Sequence, residues 1–197
     1  MAKSLKQLRE DARACQDCPL WANATQTVFG AGDPHARVML VGEQPGDEED
    51  KKGLPFVGPA GRLLDRALEA AGVDRTHLYV TNAVKHFKWQ LRGKRRLHKT
   101  PAQREIDACH QWLEREIDTV KPHVIVAMGA TAARAVISKD FKVSLSRGQF
   151  VQSALAPYVF ATFHPSALLR LQDSKEKEVA FEQLVKDLRL INKALSK

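Results

Sequence analysis

Apolar residues gather in four short runs along the chain, and each run is bounded by polar or glycine-containing segments. The runs are Val38 to Val41, Leu78 to Val84, Val124 to Ala130 and Tyr158 to Phe163. A short continuous apolar run rich in β-branched residues is typical of a strand buried on both faces. Helical spacing of apolar residues lies between the runs, as in the stripes 63–71 and 106–117. Strands that alternate with helices predict one α/β domain over residues 1–197, with a mostly parallel sheet covered on both faces.

Three helix starts can be placed from local signals. Residues 5–14 form a short amphipathic pattern before the first cysteine. Thr100 followed by Pro101 and then Gln103 is typical of a capped helix start with proline at its first position. Ser174 is predicted to open a final helix whose apolar stripe is Val179, Leu184, Leu188 and Ile191.

Composition narrows the class of protein. The 197 residues include 31 Lys and Arg against 23 Asp and Glu, a formal net charge of +8. A basic balance favours a polyanionic partner, and nucleic acid is the first expectation. No apolar run approaches the ~20 residues that span a bilayer, so we expect a soluble, cytoplasmic protein with no membrane attachment. Nothing in the pattern indicates a protein partner.

Polar residues follow the predicted strands. Glu43 and Gln44 come after the first strand, Asn82 ends the second, and His164 follows the fourth. The carboxyl ends of parallel strands meet at one edge of the sheet, where ligands bind, so these side chains are expected to converge. Phe56 stands on a proline-bounded turn nearby, where it either joins the core or stacks on a nucleobase.

Residues 85–99 carry seven Lys and Arg and no acid, with aromatic residues and histidines interleaved. A bare charge run is commonly a solvated loop, but this composition at a strand end favours nucleic-acid contact. Cys15 and Cys18 have metal-ligand spacing. With Cys109 and a histidine they are typical of a structural zinc site of Cys3His type in a nucleic-acid binder.

Five segments together resemble a known family. They are GEQPGDEED (42–50), LPFVGPAGRLLD (54–65), VTNAVKHFKW (80–89), KRRLHKTP (94–101) and HPSALLR (164–170). Their order and spacing are similar to those of the uracil-DNA glycosylase superfamily, in its iron-sulfur branch, and within that branch to family X, the UdgX-like proteins. The resemblance implies a three-layer α/β/α sandwich around a four-stranded parallel sheet, and a DNA-repair activity on uracil-containing DNA, with single strands favoured.

The resemblance also implies roles for the residues at the strand ends. Phe56 would stack on uracil, and Asn82 would hydrogen-bond the edge that distinguishes uracil from cytosine. His164 would donate to the uracil oxygen that gains charge as the glycosidic bond breaks. Gln44 would shape the pocket around the scissile bond. Gly46 stands where common uracil-DNA glycosylases have a tyrosine that rejects thymine, which leaves Asp47 and Asp50 as the candidates for that role.

A 4Fe-4S cluster is the cofactor that the resemblance implies. Cys15, Cys18 and Cys109 match three of the family's four cysteines, and His86 stands where the fourth is expected. Imidazole replaces thiolate on iron in Rieske centres, so His86 is the predicted fourth ligand. His110 is the alternative.

The basic loop is the segment that distinguishes family X. The resemblance implies that His98 attacks the deoxyribose C1′ after uracil leaves, with Glu43 orienting its ring and taking its proton, so that the protein stays covalently attached. Lys94, Arg95, Arg96 and Lys99 would contact phosphates. Two alternatives stay open: a conventional glycosylase that turns over, and a non-catalytic zinc-bearing nucleic-acid binder.

Overall fold

The computed structural model describes residues 3–197 and contains one six-stranded sheet and one separate hairpin. The sheet order is β1-β3-β2-β6-β8-β7, and β4 pairs only with β5. The strands are β1 (Ala31–Gly32), β2 (Val38–Gly42), β3 (Leu78–Asn82), β4 (Trp89–Arg92), β5 (Arg95–His98), β6 (Val124–Met128), β7 (Phe150–Val151) and β8 (Tyr158–Thr162).

The four middle strands are parallel, as the four apolar runs predicted. Each of these strands pairs in register with its neighbour, so that Val38 lies beside both Leu78 and Val124. The edge strands β1 and β7 pair antiparallel and have two residues each. The sequence did not predict them because two residues are too few to show a strand period.

Helices cover both faces of the sheet. Their bounds are α1 (Leu5–Arg13), α2 (Asp47–Lys52), α3 (Pro59–Ala71), α4 (Gln103–Val120), α5 (Ala130–Val136), α6 (Val143–Ser146), α7 (Pro165–Arg170), α8 (Ser174–Leu188) and α9 (Leu190–Leu195). Short 3-10 turns span Pro19–Ala22 and Arg75–His77. None of the helices within residues 3–197 is long and apolar enough to cross a membrane.

The alternation of side chains along β2 shows how the layers form. Val38 and Leu40 pack into a core with residues of α3, α8 and α9. Met39 and Val41 point the opposite way and pack with residues of α4 and α5. Successive strand residues face opposite sides of a sheet, so both faces of β2 are buried. The predicted three-layer α/β/α sandwich is confirmed.

The structure corrects one predicted helix start and the extent of the final helix. α4 begins at Gln103 rather than at Pro101, and its N-cap is Ala102, not Thr100. The Glu105 carboxylate accepts from the Ala102 N–H at 2.6 Å. Glu105, and not Gln103, therefore completes the helix cap. The final helix opens at Ser174, but it is capped by Asp173 and ends at Leu188, which leaves Ile191 in α9.

Two charged segments form regular elements. The four acidic residues 47–50 form the first turn of α2, where negative charge is favoured by the free N–H groups. The basic run folds into the β4–β5 hairpin, in which Trp89 pairs with His98 and Leu91 with Arg96. This hairpin brings His98 back to the carboxyl edge of the main sheet.

Candidate active site

A pocket of about 870 Å³ opens at the carboxyl ends of the parallel strands. This position is the crevice in which open α/β sheets bind ligands. Its polar and aromatic lining follows the ends of β2, β3 and β8 and includes the hairpin: Glu43, Gln44, Asp47, Glu48, Glu49, Phe56, Asn82, His98, Thr100, Phe163, His164, Ser166 and Arg170. The structure therefore brings together all four strand-end residues that were expected to converge, and Phe56 with them.

Phe56 lies in the pocket wall in an unusual backbone conformation. Its φ is 55°, in the left-handed region, which costs a non-glycine residue about 1–3 kcal/mol. A Cβ at Gly42 would lie 2.6 Å from the Phe56 ring, and one at Gly61 would lie 1.8 Å from its carbonyl oxygen. Only glycine at both positions allows Phe56 to sit here. Strain of this kind concentrates at ligand sites, and the ring lies 6.0 Å from that of His164.

Asn82 stands at the end of β3 with its side chain almost fully buried against the pocket. A Cβ on Gly42 would come within 2.4 Å of its Oδ1, so the neighbouring strand makes room for the amide. No hydrogen bond among residues 3–197 occupies the Asn82 amide. Buried amides ordinarily have partners, and this one faces the space where a base edge fits.

His164 caps α7 and is fixed by that helix start. Its Nδ1 accepts from the backbone N–H of Ser166 at 3.1 Å, so a neutral ring carries its proton on Nε2. Burial lowers the pKa of His164 to about 4, against the opposing pull of the Glu43 carboxylate. At neutral pH the ring is therefore an uncharged N–H donor.

His98 and Glu43 meet at the mouth of the pocket. Nε2 of His98 lies 3.1 Å from Oε1 of Glu43, and the Thr131 hydroxyl donates to the other carboxylate oxygen. Burial raises the pKa of Glu43, but hydrogen bonding to His98 and Thr131 outweighs it and holds the pKa below its ordinary value. Glu43 is thus an ionised partner for the imidazole.

Gln44 uses its whole amide to hold the hairpin. Its Nε2 donates to the carbonyls of Lys88 and Lys99, and its Oε1 accepts from the Lys88 N–H, each at 3.1 Å. Lys88 and Lys99 flank the two ends of the hairpin. Gln44 also lines the pocket, so these contacts position the hairpin that carries His98, and its role around the base and the scissile bond stays a prediction.

The two acids proposed to reject thymine lie in different places. Asp47 lines the pocket, but its carboxylate is shared between Lys51 and Arg96. Asp50 does not line the pocket; it is fully buried and accepts from the N–H and hydroxyl of Thr25 and from Arg96. The prediction that Asp50 contacts the base therefore needs correction, because the carboxylate anchors the hairpin.

Glu49 is a pocket residue that no sequence motif indicated. Its carboxylate accepts from the Gly58 N–H at 2.7 Å and from the Gly46 N–H at 3.1 Å. These two contacts join the loop after β2 to the loop that carries Phe56. The only available signal was its position among the acids of α2.

The basic run divides into buried and exposed members. Lys94, Arg95 and Lys99 are exposed, and no ion pair within residues 3–197 involves them. Arg96 is different: its guanidinium pairs with Asp47 and Asp50 and lies over the Trp89 ring, so it is not free to contact phosphate. The phosphate-contact prediction for Arg96 is corrected on this ground.

Lys85, the first residue of that run, is buried and belongs to a polar network under the site. Its Nζ contacts the Glu116 carboxylate at 2.5 Å and donates to the Asn82 carbonyl at 2.7 Å. Glu116 also accepts from Tyr79 and Thr81. The network supports the end of β3 from below, and charge patterning gave no sign of it.

The three cysteines lie on one side of the molecule, where α1 packs on α4. Cys15, Cys18 and Cys109 share an apolar cluster. Burial raises the pKa of Cys109 to about 12, and its sulfur accepts from the Lys85 N–H at 3.2 Å. The Trp112 indole donates to the Cys15 sulfur at 3.2 Å. N–H donors to sulfur accompany the thiolate ligands of iron-sulfur clusters.

His86 is buried next to this region, with Nε2 2.8 Å from the Thr27 hydroxyl. Burial lowers its pKa, which favours the neutral imidazole that binds metals. His110 lies on the surface of α4 with Nε2 3.2 Å from Glu114. Within residues 3–197 no three His, Cys, Asp or Glu side chains form a metal-sized group. The donor types suit an iron-sulfur cluster, and its presence stays a prediction.

Comparison with known proteins agrees with the fold and the pocket. The family model for the uracil DNA glycosylase superfamily matches residues 29–189. This range contains every pocket residue named above, and it leaves out residues 1–28, which include Cys15 and Cys18, and residues 190–197. The chain belongs to the uracil DNA glycosylase superfamily.

Individual relatives cover nearly the whole chain. The type-4 uracil-DNA glycosylase of Thermotoga maritima is 37% identical over 185 residues, which are 93% of this chain and 93% of that protein. The type-4 enzyme of Sulfurisphaera tokodaii is 36% identical over 84% of this chain and 76% of its own length. The type-5 enzyme of Thermus thermophilus is 28% identical, with 90% and 85% covered. The predicted superfamily is confirmed, and the assignment to family X stays a prediction.

Proposed function

We propose that this protein is a DNA-repair glycosylase that excises uracil from DNA and then bonds covalently through His98 to the abasic sugar. The observation that carries the proposal is the 3.1 Å contact between His98 and Glu43 at the mouth of the strand-end pocket. Related type-4 and type-5 proteins named as uracil-DNA glycosylases support the first part of the proposal. The hairpin that delivers His98 supports the second.

The pocket residues suit recognition of a flipped uracil. Phe56 offers a ring face for stacking, and the free amide of Asn82 can pair with the polar edge of the base. The Nε2–H of neutral His164 can donate to the oxygen that becomes negative as uracil leaves. A donor already in place for that charge lowers the barrier to bond cleavage.

Cleavage leaves an oxocarbenium-like sugar, and the nearest nucleophile determines the product. The C1′–N1 bond breaks with its electron pair going to uracil, and a lone pair of the His98 ring forms the new bond to C1′. The Nε2 proton facing Glu43 passes to that carboxylate as the ring is alkylated.

We also propose that Cys15, Cys18, Cys109 and His86 hold a 4Fe-4S cluster. The support is three thiols in one apolar cluster and a buried neutral imidazole next to Lys85, whose N–H contacts Cys109. Such a group supplies one-electron redox capacity and ties the segment after α1 to α4. The base and sugar chemistry described above uses only the chain's own side chains.

A denaturing gel tests the function. The protein is incubated with labelled single-stranded DNA that contains one uracil, and the expected product is a heat- and detergent-stable shifted band. His98→Ser should still release uracil and leave a free abasic strand, whereas the control His77→Ser, on an exposed turn, should keep the band. A band that survives His98→Ser assigns the bond to another residue. Free abasic product from the wild type indicates a turnover glycosylase, and intact DNA indicates a non-catalytic binder.

A further inference from the structure

Thr131 lies behind Glu43, outside the pocket lining. It is the second residue of α5, directly after β6, and is 2% exposed. Its hydroxyl donates to Oε2 of Glu43, while Oε1 faces His98. No other hydrogen bond in the described chain uses this hydroxyl. The two oxygens of one carboxylate are therefore assigned to two different partners.

The backbone around Thr131 makes this contact rigid. Gly129 has a φ of 88°, and a Cβ there would lie 2.9 Å from the Cβ of His164. The turn between β6 and α5 is thus packed against His164 on one side and delivers the Thr131 hydroxyl to Glu43 on the other. A carboxylate held at one oxygen cannot rotate freely, and so the direction of its second oxygen is fixed.

We propose that Thr131 is a positioning residue that holds the Glu43 carboxylate toward His98 and thereby sets how often the histidine, rather than water, captures the sugar. The inference rests on the proposed function. Glu43 orients the ring and takes its proton only if Oε1 stays within reach of Nε2. When the hydroxyl is absent, Glu43 gains rotational freedom. We expect ring orientation to be lost before base recognition is affected, because Thr131 does not line the pocket and its described side-chain hydrogen bond goes to Glu43.

The test compares Thr131→Val, which keeps the shape and removes the hydroxyl, with Thr131→Ser, which keeps the hydroxyl. The measured quantity is the ratio of covalent band to free abasic strand at equal uracil release. Thr131→Val should lower this ratio about tenfold, the size expected for losing one hydrogen bond to a charged group. Thr131→Ser should restore it. Thr131→Ala repeats the test if the valine variant does not fold.

A pH profile adds a readout that loss of packing would not change. The titratable groups that face Glu43 are His98 on β5 and His164 after β8, and both are kept in the variants. The Thr131 hydrogen bond helps to hold the pKa of Glu43 low, so its removal should move the acid limb of adduct formation to higher pH. Thr131→Ser should keep the wild-type limb.

Glu43→Gln provides the decisive comparison. If Thr131 acts through Glu43, the double variant Glu43→Gln/Thr131→Val should behave like Glu43→Gln alone. Additive losses would overturn the proposal, as would an unchanged ratio in folded Thr131→Val. Absence of any wild-type band would instead refute covalent capture itself, so the two failures are distinguishable.

Discussion

Arg96 donates from Nη1 to Oδ2 of Asp50 over 2.7 Å, and the carboxylate it meets is fully buried. The same guanidinium donates from Nε to Asp47 and lies 5.4 Å from the centre of the Trp89 ring. Arg96 stands two residues before His98 on β5. The ion pair therefore ties the strand that carries the proposed nucleophile to the segment that forms one wall of the pocket.

Replacing Arg96 with alanine should destabilise the protein and reduce covalent capture. The change leaves the Asp50 charge buried without its cation, and breaking a buried pair in this way costs about 3 kcal/mol. Thermal unfolding and the denaturing gel measure the two effects. Arg95→Ala is the matched control, because Arg95 is exposed on the same strand and should leave the melting temperature unchanged. A wild-type melting temperature for Arg96→Ala would contradict the anchoring role.

Lys94 and Arg95 should contribute to DNA affinity through phosphates alone. Both are exposed near the hairpin turn, and phosphate contacts position a protein without reading sequence. Neutralising two phosphates should lower the salt slope of single-strand binding by roughly 1.4 in the Lys94→Ala/Arg95→Ala variant. Lys175→Ala/Lys177→Ala removes the same charge from α8, away from the pocket lining, and should leave the slope unchanged. Equal slopes in all three proteins would mean that the hairpin is not part of the DNA interface.

His164 should make stability depend on pH in a defined direction. Burial lowers its pKa in the folded protein to about 4, whereas the unfolded chain has a pKa of about 6.5. Between these values the unfolded state binds more protons, so the free energy of unfolding falls as pH falls from about 6.5 to about 4. Urea unfolding at pH 5 and pH 7 should show a larger difference for the wild type than for His164→Gln. Equal differences would mean that the ring is not held neutral.

The sequence predicts an element or a site residue correctly where the pattern within a single segment is sufficient to place it. Each middle strand is an uninterrupted apolar run, so its position follows from burial on both faces. Asn82 and His164 could be placed at one site because the carboxyl ends of parallel strands share an edge. The sequence predicts a loop where the hairpin lies, because β4 and β5 mix charged, aromatic and apolar residues without a buried face.

Contacts between side chains that are distant in the sequence could not be predicted. Arg96 and Asp50 are 46 residues apart, and nothing in a basic run indicates which of its members has a buried partner. The sequence predicts an exposed Lys85, because lysine is rarely buried without a partner. Its partner Glu116 is 31 residues away along the chain. Thr131 carries no charge and matches no motif, so its contact with Glu43 appears only when β2 and α5 are brought together.

The final prediction concerns the metal. The purified protein should be brown and contain roughly four irons per chain, with broad visible absorption that disappears on acid treatment. His86→Ala should lose much of this iron, because it removes the buried imidazole next to the Cys109 contact, whereas His86→Cys should retain it by supplying a thiolate. His110→Ala is the control, since that ring faces Glu114 on the surface of α4 and should leave the iron content unchanged. If iron is lost in His110→Ala but kept in His86→Ala, His110 is the fourth ligand. A colourless protein that contains one zinc per chain would mean that the site holds a structural zinc ion and no cluster.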